Sequence, residues 1–76
     1  MGISDPLIME AFSLRDGVLF ATLRGLSHVI MEVDCVELVT LWNTRHNSRS
    51  IVAPILLEIG ELRNHFISFD IQHINR

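Results

Sequence analysis

The sequence predicts an α/β fold in the order helix, strand, helix, helix, strand, with two parallel strands. Three observations carry this. "HVIMEV" (28–33) is short, rich in β-branched residues and apolar on both parities, as a strand buried in a parallel sheet is. "FISFDIQHI" (66–74) alternates cleanly, as a half-buried strand does. Between them lie two segments of helical periodicity, and strands joined by helical crossovers run parallel with right-handed connections.

The first helix is punctuated at both ends. Asp5 followed by Pro6 reads as an N-cap with proline at the first helical position. Gly25 followed by Leu26 reads as a left-handed cap glycine with an apolar residue after it. Leu7, Ala11, Leu14, Val18 and Ala21 form one apolar stripe. Arg15, Asp16, Thr22 and Arg24 supply much of the polar side. Gly17 costs about 1 kcal/mol against alanine in a helix interior, so it marks a close approach to the sheet.

The first strand is expected to be covered on both faces. "DCVELVTLWN" then reads as helix with Val36, Val39 and Trp42 aligned. Asp34-Cys35-Val36-Glu37 fits a capping box, with Asp34 as N-cap. "NTRHNSRS" (43–50) is the most polar stretch and reads as a loop. A second long helix is expected from Ser50 to about Asn64, with Val52, Ile55, Ile59 and Leu62 as its stripe and Pro54 in its first turn. In the last strand Ile67, Phe69, Ile71 and His73 share one face, and Ser68, Asp70 and Gln72 share the other.

Composition narrows the function. The 76 residues allow one small domain. They are 49% hydrophobic, with a mean hydropathy of +0.36, which is apolar for so small a body. Part of that surface is therefore expected to meet something outside this sequence. The net charge is −3, lysine is absent and all six basic residues are arginine. No basic stripe marks a nucleic-acid footprint, so binding phosphate would need a metal or further residues. The single cysteine, Cys35, forms no internal disulfide and makes a reducing compartment the default. No targeting signal or membrane-spanning run is visible, and the expectation is an intracellular chain.

Topology selects the candidate site. Ligands of open α/β sheets bind outside the carboxyl ends of the strands. Asp34 directly follows the first strand and His73 lies near the end of the second. Glu10 lies one turn into the first helix between Leu7 and Leu14, where a lone buried carboxylate would be costly. Paired carboxylates at a strand end suit Mg²⁺ or Mn²⁺, which prefer hard oxygen donors. Bland readings stand beside these: Asp34 as a cap, Glu10 as a solvated first-turn acid, His73 as a structural histidine. Cys35 in a helix's first turn with His73 as base would suit a thiol enzyme, but a small buried hydrophobe is the simpler reading. Arg45, His46 and Arg49 could touch phosphate, against the plain reading of a solvated loop. His28, His46 and His65 share no metal-ligand spacing.

"MEAFSLRDGVLFATLRGLSHVIMEVDCVELVTLWN", followed by a helix and then "FDIQHINR", resembles the type 1 ribonuclease H-like domain, closest to the version in plant non-LTR retroelement reverse transcriptases. The resemblance runs from about Pro6 to Arg76. It implies a partial ribonuclease H-like fold, with the family's three N-terminal strands and C-terminal helix lying outside these residues. It implies hydrolysis of the RNA strand of an RNA–DNA hybrid with magnesium. Glu10 matches the family's catalytic glutamate, although Met9 replaces the usual alanine before it. Asp34 matches the aspartate after the fourth strand of the full domain, and both would hold the metal. His73 matches the histidine of the catalytic loop, and Cys35 stands where serine is common. Two of the family's four metal-binding carboxylates lie in the segments beyond this chain. The expectation is therefore a domain inactive alone, or a retroelement-derived remnant that completes its sheet with a protein partner or a second copy along the open edge of "HVIMEV".

Overall fold

In a computed structural model, described over residues 5–47 and 49–75, the elements follow the expected order. They are helix α1 (Pro6–Leu23), strand β1 (His28–Val33), helix α2 (Val36–Asn43), helix α3 (Ala53–Leu62) and strand β2 (Ser68–His73). Short 3₁₀ turns at Arg45–Asn47 and Arg63–His65 follow α2 and α3.

Both ends of α1 are fixed by local chemistry. The Asp5 side chain accepts a hydrogen bond from the Leu7 amide at 2.9 Å, and Pro6 opens the helix. At the far end Gly25 adopts φ +69°. The Gly25 amide donates to the Thr22 carbonyl and the Leu26 amide to that of Ala21. This paired arrangement closes the last carbonyls and reverses the chain. Ala11, Leu14, Val18 and Ala21 are buried as the stripe predicts. The outer face is less polar than expected: Met9, Phe12, Phe20 and Leu23 are exposed there. Arginine covers part of it, since the Arg15 guanidinium lies 5.0 Å from the Phe12 ring centre and that of Arg24 lies 5.5 Å from Phe20.

The strands pair in parallel, from His28 opposite Ser68 to Val33 opposite His73. Parallel partners send side chains to the same face. Val29, Met31, Val33, Phe69 and Ile71 therefore share the covered face with His73. The other face carries His28, Ile30, Glu32, Ser68, Asp70 and Gln72, and it is open. The expectation that β1 is covered on both faces is thus corrected: Ile30 is 63% exposed, because the core lies on one side of the sheet. On the open face the His28 Nδ1 and Ser68 Oγ lie 2.8 Å apart in a hydrogen bond.

Three helix expectations also shift. The N-cap position of α2 falls on Cys35 rather than Asp34, so the capping box is displaced by one residue. The core stripe of α2 is Leu38 and Trp42, with Val36 61% exposed. Trp42 is buried and Val39 packs against the core as expected, but Leu38 takes the place of Val36. Finally, Ser50 to Val52 form a turn before α3 rather than its first residues: the Val52 amide donates to Ser50 Oγ and the Ala53 amide to the Ser50 carbonyl. α3 buries Ala53, Leu56 and Ile59, and Val52 just before it is buried too, with Ile55 and Leu62 half-buried.

The core centres on fully buried Leu38, Leu56, Ile59, Val18 and Val52. An aromatic group joins it: Trp42 meets Phe69 edge-on at 5.9 Å, and Phe69 stacks on Phe66 at 5.6 Å. Among the described residues the sheet has only these two strands. Among the described residues ten large hydrophobics are exposed, Leu26 and Ile67 among them, which agrees with the apolar excess of the composition.

Candidate functional site at the carboxyl edge of the sheet

The parallel register places the expected residues on one edge. Val33 is opposite His73 and Asp34 is the next residue after Val33, so Asp34 and His73 both emerge at the carboxyl ends of their strands. The Ile74 amide donates to the Val33 carbonyl at 2.9 Å, which holds the two strand ends together one step beyond the sheet.

Glu10 is brought toward the same end by the packing of α1. After the Gly25 reversal, α1 and β1 run in opposite directions. Gly17 lies against Met31, where a Cβ on the glycine would stand 2.7 Å from the Met31 Cε. The neighbour is the flexible end of a methionine side chain, so the contact places this turn of α1 over β1 without fixing its height. From Gly17 back to Glu10 is about 10 Å of helix. From Met31 forward to Asp34 is about 10 Å of strand. Helix and strand rise thus bring Glu10 toward the end of the sheet where Asp34 lies.

The three groups differ in environment. Glu10 is half-buried, while Asp34 and His73 are exposed. Cys35 is half-buried against the core, in keeping with the hydrophobic reading. His28 and His65 are exposed and lie away from this edge.

Glu10 and Asp34 supply carboxylate oxygens, the donor type that hard divalent cations take. The number of donors is small. Among the described residues no group of three or more His, Cys, Asp or Glu side chains gathers as a metal-holding cluster. The edge thus offers carboxylate chemistry but, among the described residues, no three-ligand cluster.

A second charged feature, at the opposite end of the sheet, was read only in part from the sequence, through Arg45 and His46. Arg45 and Arg63 share a cavity beside Gly60. Trp42 three residues before Arg45, within stacking reach at a helix end, was the available signal. Arg63 gave none.

A family profile described as reverse transcriptase-like matches residues 2–76. No curated protein and no solved structure matches the chain. No helix among the described residues is long and apolar enough to cross a membrane.

Proposed function

We propose, on the premise that the chain belongs to the reverse transcriptase-like family of ribonuclease H-like domains, that it forms the central part of a domain that binds RNA–DNA hybrids and cuts their RNA strand. The observation that carries this reading is the shared carboxyl edge, with Asp34 and His73 at adjacent parallel strand ends.

In this proposal Glu10 and Asp34 hold Mg²⁺ or Mn²⁺, together with carboxylates from segments beyond these residues. A bound divalent ion supplies Lewis-acid stabilisation of charge on a phosphodiester. The chain's own residues do the rest. Glu10, half-buried on α1, accepts a hydrogen bond from the attacking water and orients it. His73, exposed beside the edge, moves a proton to or from the reacting strand. With two carboxylates at the edge, the 76-residue chain binds hybrid without turning it over.

The test is hybrid binding and cleavage by the purified chain, with and without Mg²⁺. The expected result is Mg²⁺-dependent binding that Asp34→Asn weakens, with no cleavage. Turnover abolished by Asp34→Asn would sink the claim that the chain is inactive alone. Binding indifferent to both Mg²⁺ and Asp34→Asn would sink the assignment of the edge.

A second reading rests on the open sheet. The free edge of β1, with exposed Ile30 beside it, suits strand addition by a protein partner or a second copy. Sedimentation of the purified chain checks it: a monomer at all concentrations with a sharp cooperative melt argues against a missing partner.

A further inference from the structure

Between the ends of α2 and α3 lies a cavity of about 480 Å³, lined by Arg45, His46, Gly60, Glu61, Arg63 and Asn64 among others. It opens at the amino end of the sheet, since the Arg63–His65 turn leads directly into β2. It is therefore separate from the edge of Glu10, Asp34 and His73.

Arg45 is held there by three contacts. Its guanidinium carbon lies 3.7 Å from the centre of the Trp42 ring. Its Nη1 donates to the Trp42 carbonyl at 2.8 Å, at the C-terminal end of α2, where a cation is favoured. Its Nε lies against Gly60, where a Cβ would stand 3.2 Å away. Glycine inside a helix costs about 1 kcal/mol against alanine, and here the missing side chain makes room for the arginine. The Nε is buried and has no hydrogen-bond partner.

The surroundings of this arginine are electrostatically unbalanced. Burial, and then the neighbouring Arg63 charge, lower the Arg45 pKa from its ordinary value. Asp16 and Glu58 lie within ion-pair distance of Arg15. Glu61 lines the cavity and pairs with neither Arg45 nor Arg63. Two like charges brought together without a counter-ion destabilise a fold unless an anion joins them. The lining is also rich in donors: the guanidinium of Arg63, the free part of that of Arg45, the Asn64 amide and a ring N–H of His46. A tetrahedral oxyanion offers several acceptors at once and suits arginine's fork of N–H groups.

We infer that this cavity binds a phosphate group, seated between Arg45 and Arg63. Arg45 is the preorganised half of the site, fixed by Trp42 and Gly60. Arg63 is the mobile half, and its approach to Arg45 is favourable only with the anion present. The same chemistry serves free phosphate and a backbone phosphodiester of a nucleic-acid strand.

The test uses the whole chain, inorganic phosphate as the probe and no divalent metal, so its outcome does not depend on the carboxyl-edge reading. Phosphate is titrated against chloride at matched ionic strength, with NMR following the Arg45 Nε–H and the amides of Gly60 and Arg63. Saturable shifts are expected, with a melting temperature that climbs with phosphate concentration. Arg63→Gln removes no core contact and is expected to weaken phosphate binding about tenfold or more. In phosphate-free buffer the same variant should melt no lower than the parent, because the repulsion is gone. An equal phosphate response in parent and variant, or no saturable response in the parent, overturns the assignment. A short oligothymidylate that displaces phosphate from the same resonances identifies a backbone phosphodiester as the ligand; failure to displace it identifies the free ion.

Discussion

At the carboxyl end of the sheet, Asp34 and His73 stand exposed and Glu10 is half-buried, each brought there by a strand end or by the run of α1. At the amino end, Arg45 is pressed between the Trp42 ring and Gly60, and its charge is confronted by Arg63. One end carries charge on an open backbone frame; the other carries charge inside packing. The difference teaches what each end requires of its ligand. Charges on an exposed edge are screened by water, so they need no dedicated partner to be tolerated there. A packed arginine has already lost water and rotamer freedom, so an incoming anion meets a preformed donor, and little ordering remains to be done on binding.

This contrast can be broken most forcefully at Trp42. Replacing a buried tryptophan with alanine costs about 3–5 kcal/mol, and Trp42→Ala also removes the platform under Arg45. Urea unfolding should show a loss of that size, and a change below about 1 kcal/mol would mean that the basic end is not built on the aromatic group. Asp5→Ala probes the acidic end. Removing the cap should cost about 1 kcal/mol and speed amide exchange in the first turn of α1, the turn leading to Glu10, while leaving the Arg45 resonances in place. Gly60→Ala should change stability by less than about 0.5 kcal/mol, because the helix gain of about 1 kcal/mol is offset by pushing Arg45 aside. The displacement should appear in the Arg45 Nε–H shift; an unmoved resonance would show that Gly60 does not seat the arginine. The smallest effect belongs to Glu58→Gln, which removes the partner of Arg15 at 3.5 Å. An exposed pair of this kind contributes less than about 0.5 kcal/mol. A larger loss in urea unfolding would give surface charge a structural weight that the contrast between the two ends denies it.

What the sequence revealed follows the range of the forces involved. The ends of α1 were legible because Asp5-Pro6 and Gly25-Leu26 act within a few residues of themselves. The parallel pairing, and with it the meeting of Asp34 and His73 at one edge, was legible from element order. The covering of β1 was not, because Ile30 looks the same whether or not something lies above it. The start of α2 was missed by one residue, since Asp34 and Cys35 both satisfy the local pattern. Its buried face was only partly legible: Trp42 was read, but Leu38 is selected over Val36 by the elements packed against α2 rather than by α2 itself. The basic cavity was half visible. Arg45 and His46 stood out in a polar stretch, but Arg63 and Gly60 join them only through the packing of α3 on the end of α2.

The parallel pairing of β1 with β2 also governs how this chain reaches its fold. Its first rung joins His28 to Ser68, so no short hairpin can zip the sheet from one end. Closing a loop of that length costs about 3 kcal/mol in chain entropy before any strand contact repays it. Helices form far faster than such closures, which makes the docking of α2 and α3 the event that delivers β2 to β1. Until then "HVIMEV" is a naked, apolar β-former on a nascent chain. The slowest step of folding is thus also the interval of greatest exposure to aggregation.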